Sequence, residues 1–267
     1  MAMVDTHISI SHVGMVFRSS GGDVVALDDI QCDVPRGEFV CLLGPSGSGK
    51  STLLNAIAGF ARPTSGTITV DGRLISAPGP DRGMVFQEYA LFPWMNVERN
   101  IAFGLDIKGI AADQKQAVVD RLLDKLGLSD FRDRFPRDLS GGMRQRVAIA
   151  RVLALDPPLM LMDEPFGALD ALTRRSLQTE LLRIWTEDRK TIVFVAHSIE
   201  EAIYLADRIV VMTYRPGTIK RDLVVDLPRP RDPASPAFND LKRDLAELVM
   251  AEQERSSDAE RRAAAVD

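Results

Sequence analysis

The stretch EFVCLLGPSGSGKST, Glu38 to Thr52, constrains the fold more than any other part of the sequence. A short, nearly all-apolar run leads into a glycine-rich loop. A helix is expected from about Lys50 to Ala58, with Leu53, Leu54 and Ile57 on one face. Gly44 to Ser51 fit the pattern G-x-x-x-x-G-K-[ST]. Gly44, Gly47 and Gly49 let the backbone turn tightly and approach a polyphosphate. Pro45, Ser46 and Ser48 fill the variable positions, and Thr52 follows the motif. Successive N–H groups and the helix N-terminus form a cradle for negative charge. Lys50 adds a point charge for the terminal phosphates, and the Ser51 hydroxyl suits Mg²⁺. The motif says nucleotide without saying which chemistry.

Short strand-like runs alternate with helical ones elsewhere. HISISHVGMVF and VVALDDIQCDV read as strands joined by the turn Ser19–Gly22, and His7 and His12 are expected at the surface of the first. TITVDG, GMVFQ, LMLMDE, TIVFVA, DRIVVM and RDLVVDL are further strand candidates, and LTRRSLQTELLRIWTE is a helix between two of them. From about Asn96 to Asp156 there is no strand signal, only helical pattern. The expectation is a mostly parallel sheet covered by helices, with a helical subdomain inserted. The chain closes on a helix, LKRDLAELVMAEQE, and a charged, alanine-rich tail expected to fray.

Bulk properties exclude several classes. The 267 residues, 45% hydrophobic and 27% charged, allow one large domain or a core with a subdomain. A net charge of −5 counts against a nucleic-acid binder. Two cysteines, Cys32 and Cys41, give neither a disulfide framework nor metal spacing, and Cys41 reads as a small core residue. The N-terminus lacks a leader pattern and no run has the length of a membrane span, so a cytoplasmic protein able to dock on a membrane partner is expected.

LMLMDEP ends an apolar strand with two acids. Beside a phosphate loop they take separate roles. Asp163 can hold Mg²⁺ through its water shell, and Glu164 can polarise a water for in-line attack on a γ-phosphate. The pair leans toward ATP hydrolysis. LSGGMRQRVAIAR, Leu139 to Arg151, is a second glycine-rich helix start, with Ser140 as N-cap and Gly141 and Gly142 permitting close backbone approach. Val147, Ala150 and Ala154 follow at helical spacing, with Arg144 and Arg151 elsewhere on the helix.

With these motifs in order, the chain resembles the ATPase subunits of ATP-binding-cassette (ABC) transporters, from about residue 8 to 230. LSGGM looks like the cassette signature and is the most specific of the motifs. Gln87 in VFQEY matches the glutamine linking core to helical subdomain, Ala168-Leu169-Asp170 the loop after the acidic strand, His197 the switch histidine, and Phe17 the aromatic that stacks on adenine. The resemblance implies a P-loop NTPase (RecA-like) α/β core with an N-terminal antiparallel β-subdomain and an inserted α-helical subdomain at about 90–156. Residues 231–267 would form a C-terminal helix and tail.

It also implies ATP and Mg²⁺ as ligands, with Gly44 to Thr52 and Phe17 on ATP, and Ser51, Gln87 and Asp163 toward the metal. Glu164, His197 and Gln87 would be the catalytic set. Two subunits would sandwich two ATP molecules head to tail, so Ser140, Gly141 and Gly142 would serve the partner's nucleotide. A homodimer is expected, on transmembrane permease subunits at the cytoplasmic face of the inner membrane, served indirectly by a periplasmic or surface binding protein and without nucleic acid.

LFPWMNVERNIAFGL with Pro93-Trp94, RPG at Arg215–Gly217, LPRPR at Leu227–Arg231 and Met143 in the signature are similar to ATPases of nitrate, taurine, other sulfonate and bicarbonate importers. An ABC ATPase for another substrate class, or one outside transport, stays open. The short gap between phosphate loop and signature, the single cassette and the lack of a basic surplus all count against DNA-maintenance and translation-factor cassettes.

Overall fold

The computed structural model describes residues 5–19 and 22–264. The centre of the expected Ser19–Gly22 turn and the last three residues of the expected frayed tail lie outside them. The chain divides into two compact units, Met1–Gly79 with Thr191–Asp267, and Pro80–Lys190.

In the first unit, β1 (Thr6–Ser19) and β2 (Gly22–Pro35) pair antiparallel, and β1 also pairs with β4 (Ser65–Val70), which is extended by β5 (Arg73–Leu74). The buried set of β1 changes parity, from Ile8 and Ile10 to Val13 and Met15. The register shifts between Ile10 and Val13, where His12 has φ 51°. Opposite it Asp29, φ 47°, separates buried Leu27 from Ile30, and its carboxylate bonds His12 Nδ1 at 2.7 Å. One irregularity thus re-aims both strands. His12 is exposed as expected, but His7 is a correction: it is 1% exposed, with Nδ1 2.5 Å from Thr191 Oγ1. His7 lies on the face of β1 opposite Ile8 and Ile10, where alternation alone would leave it exposed, and it is buried there because the Thr191 hydroxyl meets its ring.

β3 (Phe39–Leu43) is buried at every residue, and α1 (Lys50–Ala58) follows the glycine loop. The second unit opens with β6 (Arg82–Val85), continues through α2 (Val97–Ile107), α3 (Ala112–Lys125) and α4 (Gly141–Ala154), then β7 (Leu159–Asp163) and α5 (Ala171–Asp188). β6 and β7 pair parallel, and α2 packs on α4. The strand-free stretch read from the sequence is this helical layer.

The chain returns to the first unit with β8 (Thr191–Val195), α6 (Ile199–Leu205), β9 (Arg208–Met212), β10 (Ile219–Val224) and α7 (Pro236–Ala264). β3 lies parallel between β8 and β9, and β10 adds antiparallel to β9. Cys41 is fully buried in β3, as the apolar run implied. α6 is absent from the sequence reading, and α7 is described as far as Ala264, through most of the segment expected to fray.

The LPRPR segment acquires a structural role here. Arg231, 5% exposed, donates to Ile203 O and Ala206 O, both at 2.5 Å, and to Leu227 O and Val225 O. Arg229 bonds Asp207 and, at 2.5 Å, Leu205 O. The last carbonyls of α6 lack intrahelical partners, so a buried guanidinium there satisfies several at once. Burial and the neighbouring Arg229 lower the Arg231 pKa to about 10. Arg231→Met is expected to destabilise the protein by about 3 kcal/mol, because carbonyls of buried backbone lose their donors. A urea unfolding midpoint unchanged from wild type would show the clamp to be dispensable.

Candidate functional site

In the first unit the phosphate loop is closed by its neighbours. Gly47 and Gly49 have φ of 78° and 83°, the left-handed region where a side chain is strained. A Cβ at Gly49 would lie 2.6 Å from Leu27 Cδ2, and one at Gly44 2.8 Å from Met212 O. Ser48 is fully buried and Lys50 nearly so, while Ser46 and Ser51 are exposed. The Lys50 ammonium sits within the loop, donating to Gly44 O and Pro45 O, each at 2.9 Å, and to Ser48 Oγ at 3.4 Å. No acid stands in the first turn of α1, so the positive end of its dipole is uncompensated there. Glycines without room for a Cβ, a cationic side chain and a helix N-terminus together make an anion cradle.

Phe17 is 49% exposed and pairs across the hairpin with Val24, also exposed. β2 then runs through Ala26 and Leu27 to the back of Gly49. An open aromatic and aliphatic surface therefore adjoins the loop, suited to stacking a planar base. His197 is exposed directly after β8, and its N–H donates to Glu201 Oε2 at 2.8 Å. Ser198 caps α6 by accepting from the Glu201 N–H. The buried Glu201 thus fixes the backbone that presents the histidine.

In the second unit β7 carries four buried residues and ends at Asp163, half-buried like Glu164. Glu164 has φ 41°, an uncommon conformation for a residue with a side chain, which costs on the order of 1 kcal/mol and is found preferentially at functional sites. The turn after it is held by Arg174 of α5, which donates to Phe166 O at 3.1 Å and Leu169 O at 2.7 Å. Asp170 caps α5 by accepting from Thr173 N–H, and that bond holds its carboxyl below the usual range.

Ser140 caps α4, accepting from Met143 N–H at 3.3 Å. A Cβ at Gly141 would meet Tyr89 Oη and Leu169 Cδ2, each at 3.3 Å, and one at Gly142 would meet Thr173 Cγ2 at 2.5 Å. Packing within this unit therefore leaves no room for a side chain at Gly142 and little at Gly141. Gln87 is exposed in the turn beyond β6. Arg144 lies over the Tyr89 ring at 5.5 Å, and Arg151 donates to Ala90 O at 2.7 Å and Tyr89 O at 3.3 Å and lies over Phe92. Burial lowers the Arg151 pKa. The first turns of α4 thus gather the Gln87 segment, the Glu164–Asp170 turn and the start of α5.

Sequence reasoning set Arg144 and Arg151 aside; one face of α4 carries both, and that seven-residue spacing was the available signal. It also missed Asn100. Its side chain accepts from Phe92 N–H and donates to Phe92 O, Met95 O and Asn96 O, holding the loop on which Trp94 stands 68% exposed. Gly142→Ala is expected to cost about 1–3 kcal/mol through overpacking, and Thr173→Ser, which removes the clashing methyl, to recover part of that loss. Urea midpoints of the two single variants and the double variant measure this; additive losses would show that the contact is not the cause.

The family model described as ABC transporter matches residues 27–167, from β2 through the phosphate loop and signature to the Glu164 turn. The nitrate import ATP-binding protein of Synechocystis sp. is 50% identical over 222 residues, 83% of this chain and 84% of its own. The taurine import ATP-binding protein of Roseobacter denitrificans is 51% identical over 218 residues, 81% of each chain. Among solved structures, a dimeric post-hydrolysis state of an ATP-binding cassette bound to ADP and Pi superposes with a TM-score of 0.73, at 31% identity, covering 82% of this chain and 99% of that one. That likeness gives the described elements the α/β fold of the ABC ATPase cassette expected from the motifs. With a matching family model across its motifs and relatives of about half-identical sequence over most of its length, the chain belongs to the ABC transporter family.

Proposed function

We propose that the chain is the ATP-binding and ATP-hydrolysing subunit of an importer for a small anion or sulfonate, of the nitrate, taurine or bicarbonate type. The observation that carries this reading is the anion cradle at Gly44–Thr52, in a chain that also holds the LSGGM helix start and the Asp163-Glu164 strand end. Among the described residues no helix is long and apolar enough to cross a membrane. In this reading the translocation path is formed by permease subunits. The subunit then works as a peripheral partner of a permease, at the cytoplasmic face of the inner membrane, with a binding protein delivering the cargo.

Each residue has a task in that reading. Phe17 stacks on adenine; the N–H groups of Gly44–Thr52 and the Lys50 ammonium hold the phosphates. Ser51, Asp163 and Gln87 are hard oxygen donors of the kind Mg²⁺ takes, and few carboxylates are needed because that ion keeps waters and substrate oxygens. When bound, Mg²⁺ neutralises charge on the phosphate oxygens. Glu164 orients and accepts a proton from the attacking water, and His197 steadies the γ-phosphate end. Positioning of this kind supplies most of the rate in phosphoryl transfer. Ser140, Gly141 and Gly142 reach the nucleotide of a second copy, so ATP holds two subunits together and its hydrolysis releases them. The Gln87 segment and Trp94 pass the motion to the permease.

Glu164→Gln should lower turnover by at least about 100-fold, leave ATP binding intact and accumulate an ATP-bound dimer on a sizing column. Normal hydrolysis by this variant would falsify the role given to Glu164. Reconstitution with permease and binding protein, followed by nitrate, taurine and bicarbonate in turn, tests the cargo. An ATPase stimulated by none of them, from a preparation in which no permease co-purifies, would favour an ABC ATPase outside this importer group.

A further inference from the structure

The phosphate loop is backed by a segment that the nucleotide chemistry does not use. Residues 213–218, between β9 and β10, form a self-bonded loop: Thr218 N–H donates to Thr213 Oγ1 at 2.9 Å, and that hydroxyl donates to Pro216 O at 2.8 Å. Gly217 N–H donates to Ala26 O, and Asp28 N–H to Gly217 O, each at 3.0 Å. A Cβ at Gly217 would strike Ser48 O, and one at Gly47 would stand 3.2 Å from Tyr214 Cε2 and 3.6 Å from Arg215 Nε. The loop therefore lies directly behind the anion cradle.

Its outer side is gripped by α7. Glu252 is 1% exposed. Its Oε2 accepts from Tyr214 N–H at 3.0 Å, and its Oε1 from Lys220 Nζ of β10 at 2.7 Å. Lys220 also donates to Leu248 O of the same helix, and Arg255 adds longer bonds to both carboxylate oxygens. Burial works against the charge, but Lys220 and the Tyr214 N–H outweigh it and hold the carboxyl below its usual range. α7 has separate anchors: Phe238 and Leu245 are buried, and Lys242 meets Glu200 of α6 at 3.1 Å. Docking the helix does not require a buried carboxylate at Glu252, whose bonds run to the loop and to the strand after it.

We propose that Glu252 is a positioning residue for the nucleotide: from α7 it holds Tyr214 and Arg215 against Gly47 and so sets the affinity of the phosphate loop. The inference rests on the reading of that loop as an ATP site. A cradle of backbone N–H groups binds well only if its geometry is fixed before the ligand arrives. Tyr214 is joined to Glu252 through its own backbone N–H, so the backbone that carries its ring beside Gly47 is held in place while that bond lasts.

The test is steady-state ATPase kinetics and ATP titration calorimetry on the full chain, for wild type, Glu252→Ala and Glu252→Gln, with amide exchange on residues 44–52 and 199–205. Glu252→Ala is expected to raise KM and Kd for ATP about fivefold or more, the usual range of coupling between linked sites, with kcat reduced less than twofold. Exchange should quicken at 44–52 and not in α6. Glu252→Gln, whose amide oxygen still accepts from Tyr214 N–H but carries no charge toward Lys220, should fall between, and it carries the test if the alanine variant does not fold. Unshifted KM, Kd and exchange at 44–52 in the variants, whatever the melting temperature does, would overturn the inference while leaving the ATP site standing. Equal quickening in α6 would overturn it too, by showing general loosening. Wild-type protein that binds no ATP would overturn both.

Discussion

Backbone amides can hold a phosphate only where no side chain stands in the way and nothing lets the backbone drift. Gly44 and Gly49 meet the first condition because a carbonyl oxygen of β9 and a leucine of β2 already occupy the space a Cβ would need. The same contacts meet the second. The cradle is wedged between β2 on one side and the end of β9 on the other, with Lys50 tied to the carbonyls in front. The geometry of the antiparallel sheet thus becomes a condition for binding. A bulge at His12 and Asp29 sets which faces of β1 and β2 turn inward, and with them the seat of Leu27 behind Gly49.

The second unit solves a related problem with different means. Three chemically distinct segments must keep a fixed relation although none is part of a sheet. α4 does this along its length: glycines in its first turn that allow contact with Tyr89, Leu169 and Thr173, and Arg144 and Arg151 further on that reach the carbonyls and rings of residues 89–92. Guanidinium suits this because one planar group can bond two carbonyls and cover an aromatic face at the same time.

Much of this was legible in the sequence. The apolar FVCLL run, the bounds of α1, the strand-free helical block and the cap at Ser140 all follow from local chemistry, which the amino-acid order states directly. Contacts between distant segments were not. Nothing local marks His7 for burial; a hydroxyl from Thr191, far along the chain, decides it. The short helix α6 carries too few residues to show a period, and it depends on Glu201 at one end and on Arg229 and Arg231 at the other. LPRPR could be recognised as a family trait, but its work as a carbonyl clamp needed coordinates. The candidate site residues were read from motifs, while Arg151, Arg174, Glu201 and Asn100, which hold the segments around them, were not, because a positioning residue is defined by what it touches.

Asn100 carries a mechanical consequence. Its four bonds to Phe92, Met95 and Asn96 leave the turn bearing Trp94 with little freedom of its own relative to α2. A surface loop ordinarily absorbs a push by bending, and the work is lost as heat in its own torsions. Here the loop that carries the indole is fastened to α2, and α2 in turn lies on α4, which Ser140 caps. A displacement of this loop is therefore passed on to α2, and through its packing to α4, more by the stiffness of helix packing than by bending of the loop.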